Sequence, residues 1–296
     1  PALPNAADNT SHFMVVDYLR DFLLPRGRIT GWSPESAGGW PVLRVYFPFA
    51  FLAAGLLSTS WFGFVLLPAD LAYKLVVLGA VFGYPVAAYV CARQFGLRRY
   101  APGLVALVAS IFLYDVHQVG LGGNLASLTM GELAYSWSIV LALLALGMLN
   151  QTLETRRRPW RAMALVTATM MAHIVGAMAF MLGAVCVLVF HFRRGGWRRW
   201  LEIVAVGAAG AGLWLLPFLN GIPLSTNFGY SKHVEYRSML LKWTAVCKGE
   251  GCGYSYPSAQ VAHIKYVFIA GVIGLVWGLV RRQRFVLFLA MWAGTL

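Results

Sequence analysis

An aspartate and a histidine near the start of the chain, Asp8 and His12, have the types and spacing for acid-base chemistry. Residues four apart lie on one face of a helix, so a carboxylate base would have an imidazole beside it. The alternative is structural, because an aspartate followed by Ser11 and an apolar run also fits a helix N-cap. The sequence leaves both interpretations open.

Three more candidate residues flank a glycine-rich stretch, residues 120–123. Asp115 and His117 close an apolar segment just before it, and Glu132 lies in the first turn of the helix predicted after it. Glycines allow a ligand to approach the backbone closely, and amides ahead of a helix attract anions. A plain turn would explain the glycines equally well. Glu132 either interacts with the helix dipole or contacts a substrate or metal.

A cysteine pair, Cys247 and Cys252, lies in a polar stretch late in the chain. Two close thiols predict a disulfide if this loop faces an oxidising compartment. Cys91 and Cys186 lie in apolar segments and are expected to be packing residues. The sequence has no HExxH, Walker A, GxSxG or paired CxxC motif, which argues against the common metalloprotease, NTPase and hydrolase classes.

The candidate residues are positioned by the fold of the whole chain, and the composition of the chain is that of a polytopic membrane protein. Hydrophobic residues make up 59% of the 296, charged residues 12%, and the mean hydropathy is +0.66. Soluble domains carry about 25% charged residues. The chain starts at Pro1 and ends inside an apolar run, so we expect an excerpt of a longer protein.

The net charge of +13 comes mainly from arginines beside apolar segments. Such clusters mark the cytoplasmic ends of membrane helices, and anionic lipid explains them without a nucleic-acid partner. Fourteen arginines form the clusters Arg93/Arg98/Arg99, Arg156/Arg157/Arg158/Arg161, Arg193/Arg194/Arg198/Arg199 and Arg281/Arg282/Arg284.

The apolar segments predict an all-α transmembrane bundle, since a span needs about 20 apolar residues. If all arginine clusters lie on one side, the long segment 162–192 must either cross twice as two short helices or enter and return, with its turn near residues 172–176, around His173. The run 46–67 must then lie in the interface or re-enter, unless it spans and one cluster lies outside. The candidate spans are 71–92, 101–116, 132–150, 162–192, 200–219, 264–280 and 285–296.

This topology predicts four regions and gathers the candidate residues on the extracytoplasmic side. Residues 1–70 form an extracytoplasmic loop with an interfacial helix, and residues 71–219 form the transmembrane core. Residues 220–263 form a second extracytoplasmic loop, and residues 264–296 add further helices. His173, at the turn opposite the arginines, is either a packed core histidine or part of a site.

A series of short motifs runs from Asp8 to Pro217. The motifs are DNTSH (8–12), LLPRGRI (23–29), Trp32, GGWP (38–41), YFP (46–48), AYKL (72–75), ARQFG (92–96), GNL (123–125) with Glu132, and AHIVG (172–176). In this order they resemble the GT-C class of polytopic glycosyltransferases. Within that class they resemble the membrane domain called 6-pyruvoyl-tetrahydropterin synthase-related.

The resemblance implies a specific reaction. A GT-C enzyme has a catalytic carboxylate in its first extracytoplasmic loop, the position of Asp8, and moves a sugar from a polyprenyl-phosphate donor to an acceptor with inversion. His12, Asp115, His117, Glu132 and His173 would bind substrate. A divalent metal is a possible cofactor, with Asp8, Asp115 and Glu132 as candidate ligands. The enzyme would lie in a bacterial plasma membrane, as part of the cell envelope.

Two positions depart from the family pattern. The first loop has Ile29-Thr30-Gly31-Trp32 where the family often has Pro-x-Trp, and Leu121-Gly122 replaces the usual basic residue before the Gly-Asn-Leu element. Phosphate binding at the second position is therefore in question. The alternative function is a non-catalytic membrane subunit that keeps the scaffold and serves as a structural or assembly partner. A transporter is less favoured, because the sequence shows no inverted repeat.

Overall fold

The computed structural model describes residues 8–34, 39–61, 64–114, 123–221, 271–281 and 283–295, most of them helical. Two short antiparallel hairpins accompany the helices: β1 (Gly31–Ser33) with β2 (Trp40–Val42), and β3 (Ser60–Trp61) with β4 (Phe64–Val65). The helices are α1 (Asn9–Tyr18), α2 (Phe49–Ser58), α3 (Ala69–Gln94), α4 (Ala101–Phe112), α5 (Leu125–Met130), α6 (Leu133–Thr155), α7 (Pro159–Ala172), α8 (Ile174–His191), α9 (Trp197–Gly210), α10 (Gly212–Gly221), α11 (Gly271–Val280) and α12 (Arg284–Thr295).

Among the described residues, three helices are long and apolar enough to cross a membrane: α3, α6 and α8, with 26, 23 and 18 residues. α6 is the central one, since 67% of its most apolar window is buried against 33% for α3. It packs against α3, α7 and α8. The chain is therefore an integral membrane protein with a mainly α-helical fold.

Described residues of the arginine clusters lie at one end of this bundle, whereas the placement of all four clusters on the cytoplasmic side stays a prediction. Arg199 donates to the carbonyl of Arg156 at 3.0 Å, which joins the start of α9 to the end of α6. Arg284 pairs with Glu154 at 3.1 Å, and Asn150 donates to the carbonyl of Gln94 at 2.9 Å. We call this the arginine end, and the opposite end, which holds Asp8 and Glu132, the acidic end.

The segment 162–192 forms two helices that meet at His173, which confirms the predicted turn. α7 ends at Ala172, α8 begins at Ile174, and His173 between them is extended. His173 lies beside Tyr135 at the start of α6, while His191 at the end of α8 lies beside Asn150 near the end of α6. α8 therefore runs in the same direction as α6. α7, which lies between them in the sequence, runs in the opposite direction.

The run 46–67 is not an ordinary span, which also agrees with the prediction. Its helix α2 has 10 residues, about 15 Å, and the hairpin β3–β4 follows it. α2 packs on α1 and α3 with Phe51 and Ala54 fully buried. Its place at the membrane interface stays a prediction.

Two predicted spans differ from the structure. Residues 200–219 do not form one straight span, because α9 and α10 meet at Ala211 with a bend of 63°. Glycines on both sides of Ala211 weaken the helix there, and Trp214 is held by hydrogen bonds to the carbonyls of Leu43 and Tyr46. α4 is shorter than predicted, since it ends at Phe112.

Residues 8–34 pack as one layer on the start of α3. α1 continues into a π-helical turn, Leu19–Leu23, and a 3₁₀ turn, Leu24–Arg26. Val16 and Leu19 are fully buried in a cluster that also includes Tyr73 of α3. This packing brings Asp8, at the start of α1, to the beginning of α6. The predicted division into regions at residues 70, 219 and 263 stays a prediction.

Candidate functional site

The acidic end brings two carboxylate residues together at a glycine. The backbone amide of Asp8 donates to the carbonyl of Met130 at 3.3 Å, which sets Asp8 beside the turn that precedes Glu132. Gly131 in that turn has φ +108°, and a Cβ there would be 2.8 Å from the Cβ of Asp8. Only glycine fits both the left-handed backbone and the close approach. Asp8 and Glu132 are therefore neighbours across residue 131.

The electrostatics of this pair are those of like charges placed close together. Burial raises the pKa of the Glu132 carboxyl, and the negative charge of Asp8 raises it further. Within the described residues, no cation forms a salt bridge with either acid. Asp8 itself is exposed. The pair thus combines a solvent-accessible carboxylate with a neighbour that holds its proton more tightly than usual.

The helix-cap alternative for Asp8 is wrong in one respect. Asp8 does precede the first residue of α1, and its carbonyl accepts the amide of His12 at 2.9 Å. Its carboxylate, however, makes no capping hydrogen bond. The side chain is therefore free to act on something other than the helix terminus.

His12 lies in an aromatic setting on the inner side of Asp8. Its ring is 5.0 Å from that of Phe51 and 5.7 Å from that of Tyr46, and the residue is only 8% exposed. Burial lowers the pKa of His12, and the charge of Asp8 opposes that shift. Its Nδ1 has no hydrogen-bond partner among the described residues. Burial thus favours the neutral form of the His12 imidazole, and one of its nitrogens has no partner in the described part of the chain.

Asn9 and Tyr73 hold the acid pair in place, a role that the sequence did not reveal. The Asn9 amide donates to the carbonyl of Thr129 at 2.8 Å, and its oxygen accepts the Tyr73 hydroxyl at 2.8 Å. Both residues are buried. They join α1, α5 and α3 at the point where Asp8 meets Gly131. A polar residue beside a candidate acid was the available signal, but its long-range partners were not predictable.

Tyr46 is a second residue whose role was missed. Burial raises the pKa of its phenol, and the charges of Glu132 and Asp8 raise it further. Its ring contacts His12 and lies 5.9 Å from the ring of Phe47. Tyr46 is therefore a neutral phenol within the field of both acids.

His173 lies further along the same chain of aromatic contacts. Its ring is 4.4 Å from that of Phe47 and 5.2 Å from that of Tyr135. Its Nδ1 accepts the amide of Val175 at 3.3 Å, which caps α8, and burial lowers the pKa of His173, at the break outside both helices, to about 4. A neutral, capping histidine packed between aromatic rings has a structural role here.

Several predicted site residues lie outside the described part of the chain. They are Asp115, His117, Cys247 and Cys252. The predicted disulfide and two of the substrate contacts therefore stay predictions. Among the described residues, no group of three histidine, cysteine or acidic side chains could hold a metal ion. Of the predicted metal ligands, Asp8 and Glu132 are the described pair.

The acid pair is not inside either of two grooves on the described surface. One groove of about 570 Å³ lies between the β1–β2 hairpin and α10. Another of about 440 Å³ lies where the π-helical turn meets the β3–β4 hairpin and the start of α3. Asp8 and Glu132 line neither of them. The pair, with Asp8 exposed and Glu132 half-buried, lies at the acidic end apart from these two grooves.

Comparison with known proteins gives one match. A family model described as the 6-pyruvoyl-tetrahydropterin synthase related domain, a membrane protein, matches residues 43–247, more than two thirds of the chain. A search of curated proteins and a search of solved structures found no match. The matched range includes Tyr46, Glu132 and His173 and begins after Asp8 and His12. The chain therefore belongs to the 6-pyruvoyl-tetrahydropterin synthase related family of membrane proteins.

Proposed function

We propose that this protein is an integral-membrane glycosyltransferase of the GT-C kind. It would move a sugar from a polyprenyl-phosphate donor to an acceptor hydroxyl, with inversion at the anomeric carbon. The observation that carries the proposal is the pairing of Asp8 with Glu132 across Gly131, at the end of the bundle opposite the arginines. Because clustered arginines face the cytoplasm, the acidic end would be extracytoplasmic, in a bacterial plasma membrane.

The chemistry needs one base and one leaving group. The acceptor oxygen forms a bond to the anomeric carbon, and the bond from that carbon to the donor phosphate oxygen breaks. The acceptor proton goes to Asp8, and the polyprenyl phosphate leaves with the bonding electrons. A general base of this type contributes roughly 10²- to 10⁴-fold to a rate. Asp8 suits the role because it is exposed and its carboxylate is not used as a helix cap.

Glu132 would assist as the partner carboxyl of Asp8. Burial and the charge of Asp8 raise the pKa of Glu132, and a carboxyl with a raised pKa is protonated more easily and can then donate a hydrogen bond to a substrate oxygen. If a divalent cation takes part, two carboxylates and a substrate phosphate are a donor set that Mg²⁺ accepts. Asp8 and Glu132 are the described residues that would hold it.

The test is a transfer assay with Asp8→Asn in purified protein, using a polyprenyl-phosphate hexose with a labelled sugar. We expect the rate of polyprenyl phosphate release in the presence of acceptor to fall by about 10²- to 10⁴-fold, with the thermal unfolding midpoint unchanged. Asp70→Asn is a matched control, because Asp70 is an acid at the same end that pairs with Lys74 at 3.4 Å. Turnover by Asp8→Asn at the wild-type rate would reject the proposal.

The second candidate is a non-catalytic membrane subunit, and the aromatic packing favours it. His12 and His173 both contact aromatic rings, and neither lines either of the two grooves described above. On this alternative, wild-type protein would release no polyprenyl phosphate from the labelled donor. Asp8→Asn would then support cell growth as well as the wild type in a strain that depends on the protein.

A further inference from the structure

The groove of about 570 Å³ has an apolar body and one cationic corner. Its lining has a small polar share and comes from the β1–β2 hairpin on one side and α10 on the other. The lining residues are Thr30, Gly31, Trp32, Pro41, Arg44, Leu216, Pro217 and Asn220. The groove therefore has the character of a site for a molecule with an apolar chain and one charged group.

The α10 wall is fixed to the loop that carries Arg44. The indole of Trp214, which is 2% exposed, donates to the carbonyls of Leu43 at 2.9 Å and Tyr46 at 3.1 Å. Leu43 has φ +53° and is fully buried, so the chain turns sharply just before Arg44. A left-handed leucine is strained and persists because its surroundings hold it. The position of Arg44 is thus set by packing.

The outer face of α10 is suited to lipid. Leu213, Leu216 and Leu219 are 81%, 65% and 50% exposed, on the second half of a bent pair of apolar helices. Exposed leucines at this density on a membrane protein indicate contact with acyl chains. Because Leu216 also lines the groove, the groove is continuous with this surface.

Arg44 is the cation among the residues that line the groove. It is exposed, and no acid of the described residues pairs with it. A guanidinium offers five donors in a planar fork that matches the oxygens of a phosphate. A mainly apolar groove with such a group in its lining is complementary to an anionic amphiphile.

We infer that this groove binds the phosphate of an amphiphile at Arg44 and its apolar chain along α10. The inference deepens the proposed function and rests on it for the identity of the ligand as the sugar donor. Tyr46 lies two residues after Arg44, so their Cα atoms are at most about 7 Å apart. Tyr46 is also in the field of Asp8 and Glu132. A sugar attached to the phosphate would therefore extend from Arg44 toward the acid pair.

The experiment measures binding, not turnover. Native mass spectrometry of the purified protein released from nanodiscs would compare a polyprenyl monophosphate, the neutral polyprenol and inorganic phosphate. Arg44→Gln is expected to weaken binding of the polyprenyl monophosphate by about 10- to 100-fold, the loss typical of a charged hydrogen bond. Arg44→Lys should keep part of the affinity. Arg28→Gln is the matched control, because Arg28 is exposed in the same segment and lies outside the groove.

Each outcome decides the inference. Weaker binding of the monophosphate to Arg44→Gln, with polyprenol binding unchanged, supports it. Equal binding of the monophosphate to wild type and Arg44→Gln overturns it. If inorganic phosphate binds as tightly as the polyprenyl monophosphate, the inference that the ligand is an amphiphile is rejected. The ligand would then be a soluble phosphate.

The result also separates this inference from the transferase proposal. Binding that depends on Arg44, together with wild-type turnover by Asp8→Asn, would keep the groove and reject the transferase. Binding that is independent of Arg44, together with loss of turnover in Asp8→Asn, would reject the groove alone.

Discussion

The two ends of the bundle handle like charges and unusual backbone in opposite ways. At the arginine end, Arg99, Arg156 and Arg158 adopt left-handed φ angles of 54°, 57° and 53° without glycine, and all three are exposed. At the acidic end, the left-handed turn beside Asp8 requires Gly131, because any side chain would strike Asp8. The three arginine side chains are exposed, so strained backbone angles and the repulsion between like charges are tolerated at the arginine end. Close packing at the acidic end fixes two acids in one place.

The difference suggests separate roles for the two ends: the arginines orient the protein in the membrane, and the acids are placed for chemistry. The arginines need only to lie near anionic headgroups, so their exact geometry matters little. The acids are held by buried hydrogen bonds through Asn9 and Tyr73, at a cost in desolvation and repulsion: burial raises the pKa of Glu132, and the charge of Asp8 raises it further. Groups with shifted pKa values cluster at functional sites, so we expect function at the acidic end.

The largest expected effect on stability comes from Gly131→Ala. A Cβ there must displace Asp8 and also adopt φ +108°, so we expect a loss of about 3 kcal/mol from strain and overpacking together. Gly195→Ala is the matched control at the arginine end, since its φ is +70° with nothing within 4 Å of the added Cβ. Its cost should be about 1 kcal/mol. Reversible unfolding in mixed micelles measures both, and equal losses would contradict the contrast between the ends.

A second test uses pH and His12. The folded pKa of His12 is lowered, so its neutral form contributes stability that is fully present above the usual pKa of 6.5. That stability is lost as the pH falls through the lower pKa of the folded protein. The thermal midpoint of wild type should therefore fall as the pH drops from 7 to 5, more steeply than that of His12→Gln. If the thermal midpoints of the two proteins change with pH in parallel, burial does not lower the pKa of His12 and this prediction is wrong.

The smallest effect is expected at the arginine end, for Glu154→Gln. Glu154 pairs with Arg284 at 3.1 Å, and the two side chains are 37% and 56% exposed. Exposed ion pairs contribute about 0 to 1 kcal/mol, so the change in unfolding free energy should be below about 0.5 kcal/mol. A loss above 1 kcal/mol in mixed micelles would mean that this end is also held by specific contacts.

The membrane frame was predictable because it depends on local composition. Apolar length gave α3, α6 and α8, and arginines at both ends of segment 162–192 required a turn at His173. The prediction that residues 46–67 are not an ordinary span came from the same placement of the arginine clusters on one side. Each of these follows from the cost of placing charge and backbone in hydrocarbon.

The site was less predictable, because contacts between distant residues create it. Asp8 and Glu132 were named as candidates, but their meeting depends on a close approach at Gly131 and on a bond from Asn9 to a residue 120 positions away. The bend between α9 and α10 similarly depends on Trp214 reaching the carbonyl of Leu43. Periodicity carries no information about such pairs.

The shortness of α7 has a consequence for the surrounding lipid. Its 14 residues span about 21 Å, whereas a hydrocarbon core is about 30 Å thick. Such a mismatch is relieved by local thinning of the bilayer, at a fraction of a kcal/mol per Å. The headgroup layer would then lie closer to His173, and the lipid-linked donor of the proposed reaction would reach the acidic end without its polar part leaving that layer.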